Sequence, residues 1–141
     1  MIIIDTNVVS ALMRPDKNQI IVNWLDSQIK SDLCICSITV YEIYFGLAVS
    51  PFGQKRELLK KAFESQLINI FGHRVLPYDL LAAEQAASLA AKRKLSGLNI
   101  ELADTQIAGI ALANKATLAT RNTKHFEDAG IELINPWGQI K

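Results

Sequence analysis

Short apolar runs alternate with longer segments of helical periodicity along this chain. Five of the apolar runs predict buried strands, at residues 2–4, 33–36, 74–76, 116–119 and 132–134. The segments of helical periodicity predict helices at residues 6–12, 18–29, 37–49, 54–71, 80–95 and 103–114, with Ser37 and Asp79 as N-caps. Because short strands alternate with helices, we expect an α/β fold whose parallel sheet is covered by helices on both faces.

Size and composition fit one domain spanning residues 1–141. Of the 141 residues, 50% are hydrophobic, which suffices for a sizeable core. Only 21% are charged, which excludes a disordered tail, and a formal net charge of +1 gives no global attraction to nucleic acid. No apolar run approaches the ~20 residues of a membrane span, and Asp5 interrupts the apolar start. We therefore expect a soluble, cytoplasmic protein, with Cys34 and Cys36 reduced and buried on one face of their strand.

Acidic residues occur at three places in the predicted fold that converge on one edge of the sheet. Asp5 directly follows the first strand, and Glu42 lies in the second turn of the helix after the second strand. Asp104 lies in the first turn of the helix before the fourth strand, which the polar residues 120–122 follow. Since ligands of open parallel sheets bind outside the carboxyl ends of the strands, we expect these groups to form one site.

Carboxylates that cluster repel one another, and a hard dication relieves that repulsion. Mg²⁺ prefers oxygen ligands, and Mg²⁺ or Mn²⁺ can polarise a phosphodiester and activate water. We therefore predict Asp5, Glu42 and Asp104 as both the metal ligands and the catalytic residues. Alternatives stay open for each, namely a helix N-cap for Asp5, a solvated helix position for Glu42, and favourable interaction with the helix dipole for Asp104. Glu101 is predicted to be a plain surface acid.

Four segments carry motifs in a fixed order. They are IIDTNV at 3–8, SITVYEIYFG at 37–46, DTQIAGIA at 104–111, and LATRN at 118–122 followed by Phe126. The ending INPW at 134–137 accompanies them. With these segments the chain resembles the PIN-domain nucleases, in particular the VapC-like toxins and their FitB-like relatives. In the family's motifs, Asp5, Glu42 and Asp104 stand at the positions of the three metal-binding acids.

The resemblance implies a PIN-like three-layer α/β/α sandwich with a central, mostly parallel sheet. It implies Mg²⁺- or Mn²⁺-dependent endonucleolytic cleavage of RNA by the toxin of a type II toxin–antitoxin pair. The implied partners are a small antitoxin protein and a second copy of the chain. Some members of the family carry a fourth acid where this chain has Asn122, and others where it has His125, which leaves the number of ions open. We expect Thr6, Thr120 and Asn122 to orient ligands or water. For His125 we favour a surface residue over one that contacts phosphate or helps with proton transfer.

Substrate contacts are predicted from position alone. Arg121 stands beside the proposed site and could contact a phosphate, while residues 14 and 17, or 92–94, could form basic flanks. Two other functions compete with the nuclease. A haloacid-dehalogenase-like phosphatase needs a second aspartate where this chain has Asn7. A non-catalytic PIN-like partner that binds an antitoxin and supports operator DNA binding stays open, because Asn122 cannot supply charge.

Overall fold

A sheet of five parallel strands forms the centre of the protein, in a computed structural model that describes residues 1–138. The strands are β1 (Ile2–Ile4), β2 (Leu33–Cys36), β3 (Val75–Leu76), β4 (Thr117–Ala119) and β5 (Leu133–Ile134). Their order is β3-β2-β1-β4-β5, and each pair of neighbours is parallel. The chain therefore starts in the middle of the sheet, and the carboxyl ends of β1, β2 and β4 lie side by side. The predicted parallel sheet is confirmed, whereas the last three residues of the predicted domain lie outside the described part.

Helices connect the strands. Within residues 1–138 they are α1 (Thr6–Met13), α2 (Gln19–Asp26), α3 (Ser37–Val49), α4 (Gln54–Asn69), α5 (Leu80–Leu95) and α6 (Leu102–Asn114). Short 3₁₀ helices occur at Lys30–Asp32, Thr123–His125 and Glu127–Ala129. Each predicted helix is present, with ends that differ from the prediction by a few residues at most. None of the helices in this part of the chain is both long enough and apolar enough to cross a bilayer.

The two faces of the sheet carry separate hydrophobic cores, because successive residues of a strand point to opposite sides. Ile3 and Leu118 belong to a buried cluster with residues of α5 and α6. Ile4 and Ile35 belong to a second buried cluster with residues of α1, α2, α3 and α4. Helices thus cover both faces, and the predicted three-layer α/β/α sandwich is confirmed.

Both cysteines pack into the same core, as their spacing of two on a strand predicts. Cys34 and Cys36 are buried free thiols in the cluster that contacts α5 and α6. Burial raises the pKa of the Cys34 thiol to about 11 and raises the pKa of Cys36 above its usual value. The two thiols therefore stay protonated near neutral pH and act as small apolar side chains.

Helices α5 and α6 approach each other closely at Gly109. A Cβ atom on this residue would lie 2.6 Å from the carbonyl oxygen of Ala82 and 2.6 Å from the Cβ of Ala86. Only a glycine lets the two backbones come this near, so the contact fixes the position of α6 against α5. Since α6 carries Asp104 in its first turn, this packing also positions one of the predicted site residues.

One of the two predicted N-caps is wrong. Cys36 occupies the N-cap of α3, and Ser37 is the first residue of the helix. The Ser37 hydroxyl instead accepts a hydrogen bond from the Tyr78 N–H at 3.0 Å, which ties the segment after β3 to the start of α3. The other prediction is confirmed, because Asp79 Oδ1 accepts from the N–H of Ala82 at 3.0 Å and caps α5.

Candidate active site

Asp5 lies where the backbone leaves β1 and enters α1. Its N–H donates to the carbonyl oxygen of Ala119 in β4 at 2.9 Å, which extends the strand pairing by one residue. Its Oδ1 accepts from the Thr6 N–H at 2.8 Å and caps α1. Its Oδ2 accepts from Thr120 Oγ1 at 2.7 Å and from Asn7 Nδ2 at 3.1 Å. The N-cap alternative is therefore correct, but it accounts for one oxygen of a carboxylate that is only 3% exposed.

The segment after β4 is held against the start of α1 by hydrogen bonds. Thr120 Oγ1 donates to Asp5 and accepts from the N–H of Asn122 at 3.0 Å. The Arg121 N–H donates to Asn7 Oδ1 at 3.1 Å. Thr120 is thus well placed to orient Asp5, whereas the exposed residue Asn122 enters this network through its backbone.

Glu42 reaches the same edge of the sheet from the second turn of α3. Thr6 Oγ1 donates to Glu42 Oε1 at 2.7 Å and lies 3.0 Å from Thr39 Oγ1. Because the single proton of the Thr6 hydroxyl goes to the carboxylate, Thr39 donates to Thr6 in this arrangement. Glu42 is partly buried, so the alternative of a freely solvated helix residue does not fit the structure.

Asp104 lies in the first turn of α6 and pairs with a histidine. Its Oδ2 is 2.7 Å from His125 Nδ1, and the side chains of Asp104 and His125 are 15% and 48% exposed, respectively. The exposure of His125 fits the predicted surface residue, and its contact with Asp104 places the ring beside the site. Glu101 is exposed, as predicted, but its charge raises the pKa of Glu42.

The three predicted acids act on one another electrostatically. The pKa of Asp5 is raised to about 6, mainly by burial and also by the charges of Asp104 and Glu42, while the hydrogen bonds from Thr120 and Thr6 act in the opposite direction. Burial also raises the pKa of Glu42, where the charge of Asp104 acts in the same direction and the hydrogen bond from Thr6 opposes it. The fold therefore brings Asp5, Glu42 and Asp104 close enough to repel one another.

The donor set fits a hard cation that keeps part of its water shell. In residues 1–138, no three side chains of His, Cys, Asp or Glu form a ready-made metal cluster. Mg²⁺, however, commonly takes only one or two carboxylates directly and fills the rest of its shell with water and substrate oxygens. The site offers carboxylates that repel one another but do not form a complete ligand set, with hydroxyl groups beside them. This donor set suits a cation that also binds water and substrate oxygens.

The basic residues predicted near the site lie in different surroundings. The exposed residue Arg121 places its guanidinium 4.9 Å from the ring centre of Trp137, in a cation–π contact. Arg14 and Lys17 line a groove beside the site. The prediction that Arg93 contributes to a basic flank is wrong, because its side chain is 3% exposed and pairs with Asp128 at 2.9 Å.

A groove of about 1000 Å³ runs from the site along α1, α3 and α4. Thr6 and Glu42 line its end near the carboxylates, and apolar residues such as Leu47 and Leu59 line it farther away. The apolar lining together with the charged end would suit an elongated peptide that carries both kinds of side chain.

Sequence reasoning missed three contributions to the site. Thr39 lies within the recognised segment 37–46, but its contact with Thr6 depends on how α1 and α3 pack. Arg93 donates to Thr105, the residue after Asp104, but its position between two lysines in the sequence predicts an exposed basic side chain. The pairing of His125 with Asp104 joins residues 21 positions apart. The histidine beside the TRN motif was the one available signal for that contact.

Comparisons with known proteins agree with the geometry. Residues 2–132 match the family described as PIN domain. The chain is 41% identical to VapC ribonuclease Y4jK of Sinorhizobium fredii, over 97% of this chain and 98% of the relative. It is 38% identical to Toxin FitB of Neisseria gonorrhoeae, over 97% of this chain and 99% of the relative.

A solved structure described as FitAcB from Neisseria gonorrhoeae superposes with a TM-score of 0.88 at 37% identity, covering 99% of this chain and 100% of that one. The family match, the relatives and the superposition each extend over nearly the whole chain, and the fold is as the resemblance implies. The chain therefore belongs to the PIN-domain family, among relatives that include a VapC ribonuclease and the FitB toxin.

Proposed function

We propose that this protein is a Mg²⁺- or Mn²⁺-dependent endoribonuclease that acts as the toxin of a type II toxin–antitoxin pair. The observation that carries the proposal is the buried Asp5 carboxylate at the end of β1, which the charges of Glu42 and Asp104 repel. A buried charge near other charges of the same sign is costly for a protein that gains nothing from it. Relatives named as a VapC ribonuclease and a toxin support the same function.

Asp5, Glu42 and Asp104 would hold the cation, directly or through water. When bound, such an ion supplies Lewis-acid activation of a phosphodiester and of water. Thr120 and Asn7 fix the direction of the Asp5 carboxylate, and Thr6 fixes that of Glu42. Each carboxylate is thus oriented before substrate binds, which lowers the reorganisation needed for cleavage.

Arg121 is the residue we assign to phosphate binding. Its backbone N–H donates to the side chain of Asn7, which in turn donates to Asp5. Its guanidinium is stacked on Trp137. The stacking restricts a long side chain that would otherwise move freely in solvent. A guanidinium held in this way can donate two hydrogen bonds to one phosphate of an RNA backbone. Asn122, on the same segment, could orient water with its side-chain amide.

The partners proposed for this chain are a small antitoxin protein and a second copy of the chain, in a cytoplasmic complex. Solved complexes of similar chains include FitAcB and a FitAB complex bound to an IR36 DNA fragment. The groove along α1, α3 and α4 ends at Glu42. An antitoxin segment in this groove would reach the carboxylates and block them.

A second candidate function is a non-catalytic partner that binds an antitoxin and supports operator DNA binding. It is favoured by Asn122, which stands where some relatives in the family carry a fourth acid, and by the DNA-bound FitAB complex. Under this function the carboxylates would have no role in cleavage. The two functions therefore differ in what a substitution of Asp5 does to RNA.

An RNA-cleavage assay with three proteins tests the proposal. Wild-type protein should cut RNA with Mg²⁺ or Mn²⁺ and stop when EDTA is added. Asp5→Asn should lose at least about 100-fold in rate. Asp79→Asn is the matched control, because Asp79 also caps a helix, is exposed, and is not one of the charges that raise the pKa of Asp5 or Glu42. Equal rates for wild type and Asp5→Asn would exclude the nuclease mechanism and favour the non-catalytic function.

A further inference from the structure

Arg93 is a buried arginine near the end of α5 whose side chain reaches two other segments. Its side chain is 3% exposed. Nε and Nη2 donate to the two carboxylate oxygens of Asp128, each at 2.9 Å, and Nη1 donates to Thr105 Oγ1 at 2.8 Å. Nη2 also donates to the carbonyl oxygen of His125 at 2.7 Å. The guanidinium thus uses four of its five N–H donors on protein partners.

Two of these partners adjoin the pair formed by Asp104 and His125. Thr105 directly follows Asp104 in the first turn of α6, and the His125 carbonyl belongs to the residue whose ring contacts Asp104. The planar guanidinium of Arg93 therefore connects the His125 carbonyl to Thr105, the residue that follows Asp104. The distance between Asp104 and His125 depends on how these two segments are held, and Arg93 contacts both of them.

The pairing with Asp128 keeps the charge of Arg93 in place. A buried guanidinium without a carboxylate partner would be strongly destabilising. The hydrogen bond from Arg93 lowers the pKa of Asp128 below its usual value, so this carboxylate stays charged through the neutral range. A lysine at position 93 would keep the positive charge, but its ammonium cannot reproduce the planar fork that reaches three partners at once.

We propose that Arg93 is a positioning residue that sets Asp104 and His125 relative to each other through Thr105 and the His125 carbonyl. The proposal rests on the proposed function in one respect, namely that Asp104 serves in RNA cleavage. Arg93 itself does not line the carboxylate edge, so it acts through these neighbours. This role differs from a purely stabilising one, because it predicts a local change at His125 in a protein that is still folded.

The test is Arg93→Lys, observed through the two histidines of the chain. The sequence contains His73 and His125, so two-bond ¹H–¹⁵N spectra of the imidazoles show two sets of signals. His73 is exposed on a turn after α4 and serves as the internal reference. In metal-free Arg93→Lys at a fixed pH, the ¹⁵N signals of His125 should shift while those of His73 stay unchanged. RNA cleavage per folded molecule should fall about 10–100-fold, as for other residues that orient a ligand-bearing group.

Arg74→Lys provides a matched control. Arg74 also spreads its guanidinium over several backbone carbonyls, donating to Leu33 at 2.8 Å, to Ile70 at 3.2 Å and to Lys30. It contacts the first residue of β2, at the opposite edge of the sheet from Asp5. The same substitution there should lower the thermal midpoint and leave both the His125 signals and the cleavage rate per folded molecule unchanged.

The proposal is overturned if folded Arg93→Lys shows unchanged His125 signals and cleaves RNA within twofold of the wild-type rate. Arg93 would then be a stabilising residue only. If Arg93→Lys does not fold, Thr105→Val replaces it, because it removes one hydrogen bond of the guanidinium and leaves the ion pair of Arg93 with Asp128 intact. The His125 signals must then shift in Thr105→Val, and their constancy overturns the proposal as well. A wild-type protein that fails to cleave RNA would contradict the proposed function, whereas the His125 signals would still test the positioning role.

Discussion

Replacing Asp5 by asparagine removes a buried negative charge while it nearly preserves the shape of the side chain. Burial raises the pKa of Asp5 from 3.8 to about 6. The folded protein therefore binds this proton more tightly than the unfolded chain does, and the stability contributed by Asp5 falls as pH rises from about 4 to about 6. Above that range the charged carboxylate costs about 3 kcal/mol, since each pKa unit is worth about 1.4 kcal/mol.

The substitution also removes one hydrogen-bond acceptor. Asp5 accepts from Thr6, Thr120 and Asn7 with its two oxygens, whereas asparagine has a single carbonyl oxygen that would keep the cap on Thr6. The bonds from Thr120 and Asn7 to the other oxygen are lost, at about 1 kcal/mol each. We expect metal-free Asp5→Asn to be more stable than wild type by about 1 kcal/mol near neutral pH, a rise in Tm of about 3 °C. The same variant should not cleave RNA.

Urea unfolding in EDTA, followed by tryptophan fluorescence at about pH 7 and about pH 4.5, measures this difference. The gain should be present at the higher pH and disappear at the lower pH, where the wild-type carboxyl is protonated in the folded state. Asp79→Asn should change stability little at either pH, because asparagine is as good an N-cap as aspartate. A loss of 1 kcal/mol or more in Asp5→Asn near neutral pH would refute the reasoning and make Asp5 a structural residue.

Three further predictions concern packing and the orientation of Glu42. Gly109→Ala should lower the free energy of unfolding in urea by about 1–3 kcal/mol, because its Cβ would lie 2.6 Å from atoms of Ala82 and Ala86. An unchanged free energy of unfolding would mean that α5 and α6 can move apart without cost. Gln66→Met should raise Tm, because both polar atoms of the Gln66 side chain are buried without a hydrogen-bond partner; a lower Tm would indicate a buried water at that position. Thr6→Val should move the acid limb of the pH–rate profile for RNA cleavage to higher pH, because the hydrogen bond from the Thr6 hydroxyl lowers the pKa of Glu42. An acid limb at the wild-type pH would count against a catalytic role of Glu42.

The arrangement of the sheet could be predicted because its signals are local. Three consecutive isoleucines before Asp5, and the apolar run 33–36, are typical of buried strands between helical segments. A parallel sheet then brings the residues after its strands to one edge, which is why Asp5 and Thr120 could be predicted as neighbours. The hydrogen bond between their side chains joins residues 115 positions apart, and it can form because β1 and β4 are neighbours in the sheet.

Contacts that depend on how helices pack could not be predicted in this way. Ser37 has the composition of an N-cap, but the chain after β3 passes beside it, and its hydroxyl binds Tyr78 instead. Arg93 lies between Lys92 and Lys94, and only the close packing of α5 on α6 buries it against Asp128. A periodic pattern specifies which face of a helix is apolar, but it does not specify which charged side chain ends up between two helices.

Binding of Mn²⁺ to the metal-free protein, measured by titration calorimetry, tests the central claim most directly. The account holds that Asp5, Glu42 and Asp104 meet at one edge of the sheet and carry charge that a dication neutralises. It predicts that wild type takes up Mn²⁺, that Asp5→Asn and Asp104→Asn lose this binding while remaining folded, and that Asp79→Asn binds as wild type does. Wild-type protein that takes up no Mn²⁺ or Mg²⁺, or variants that bind as tightly as wild type, would contradict it.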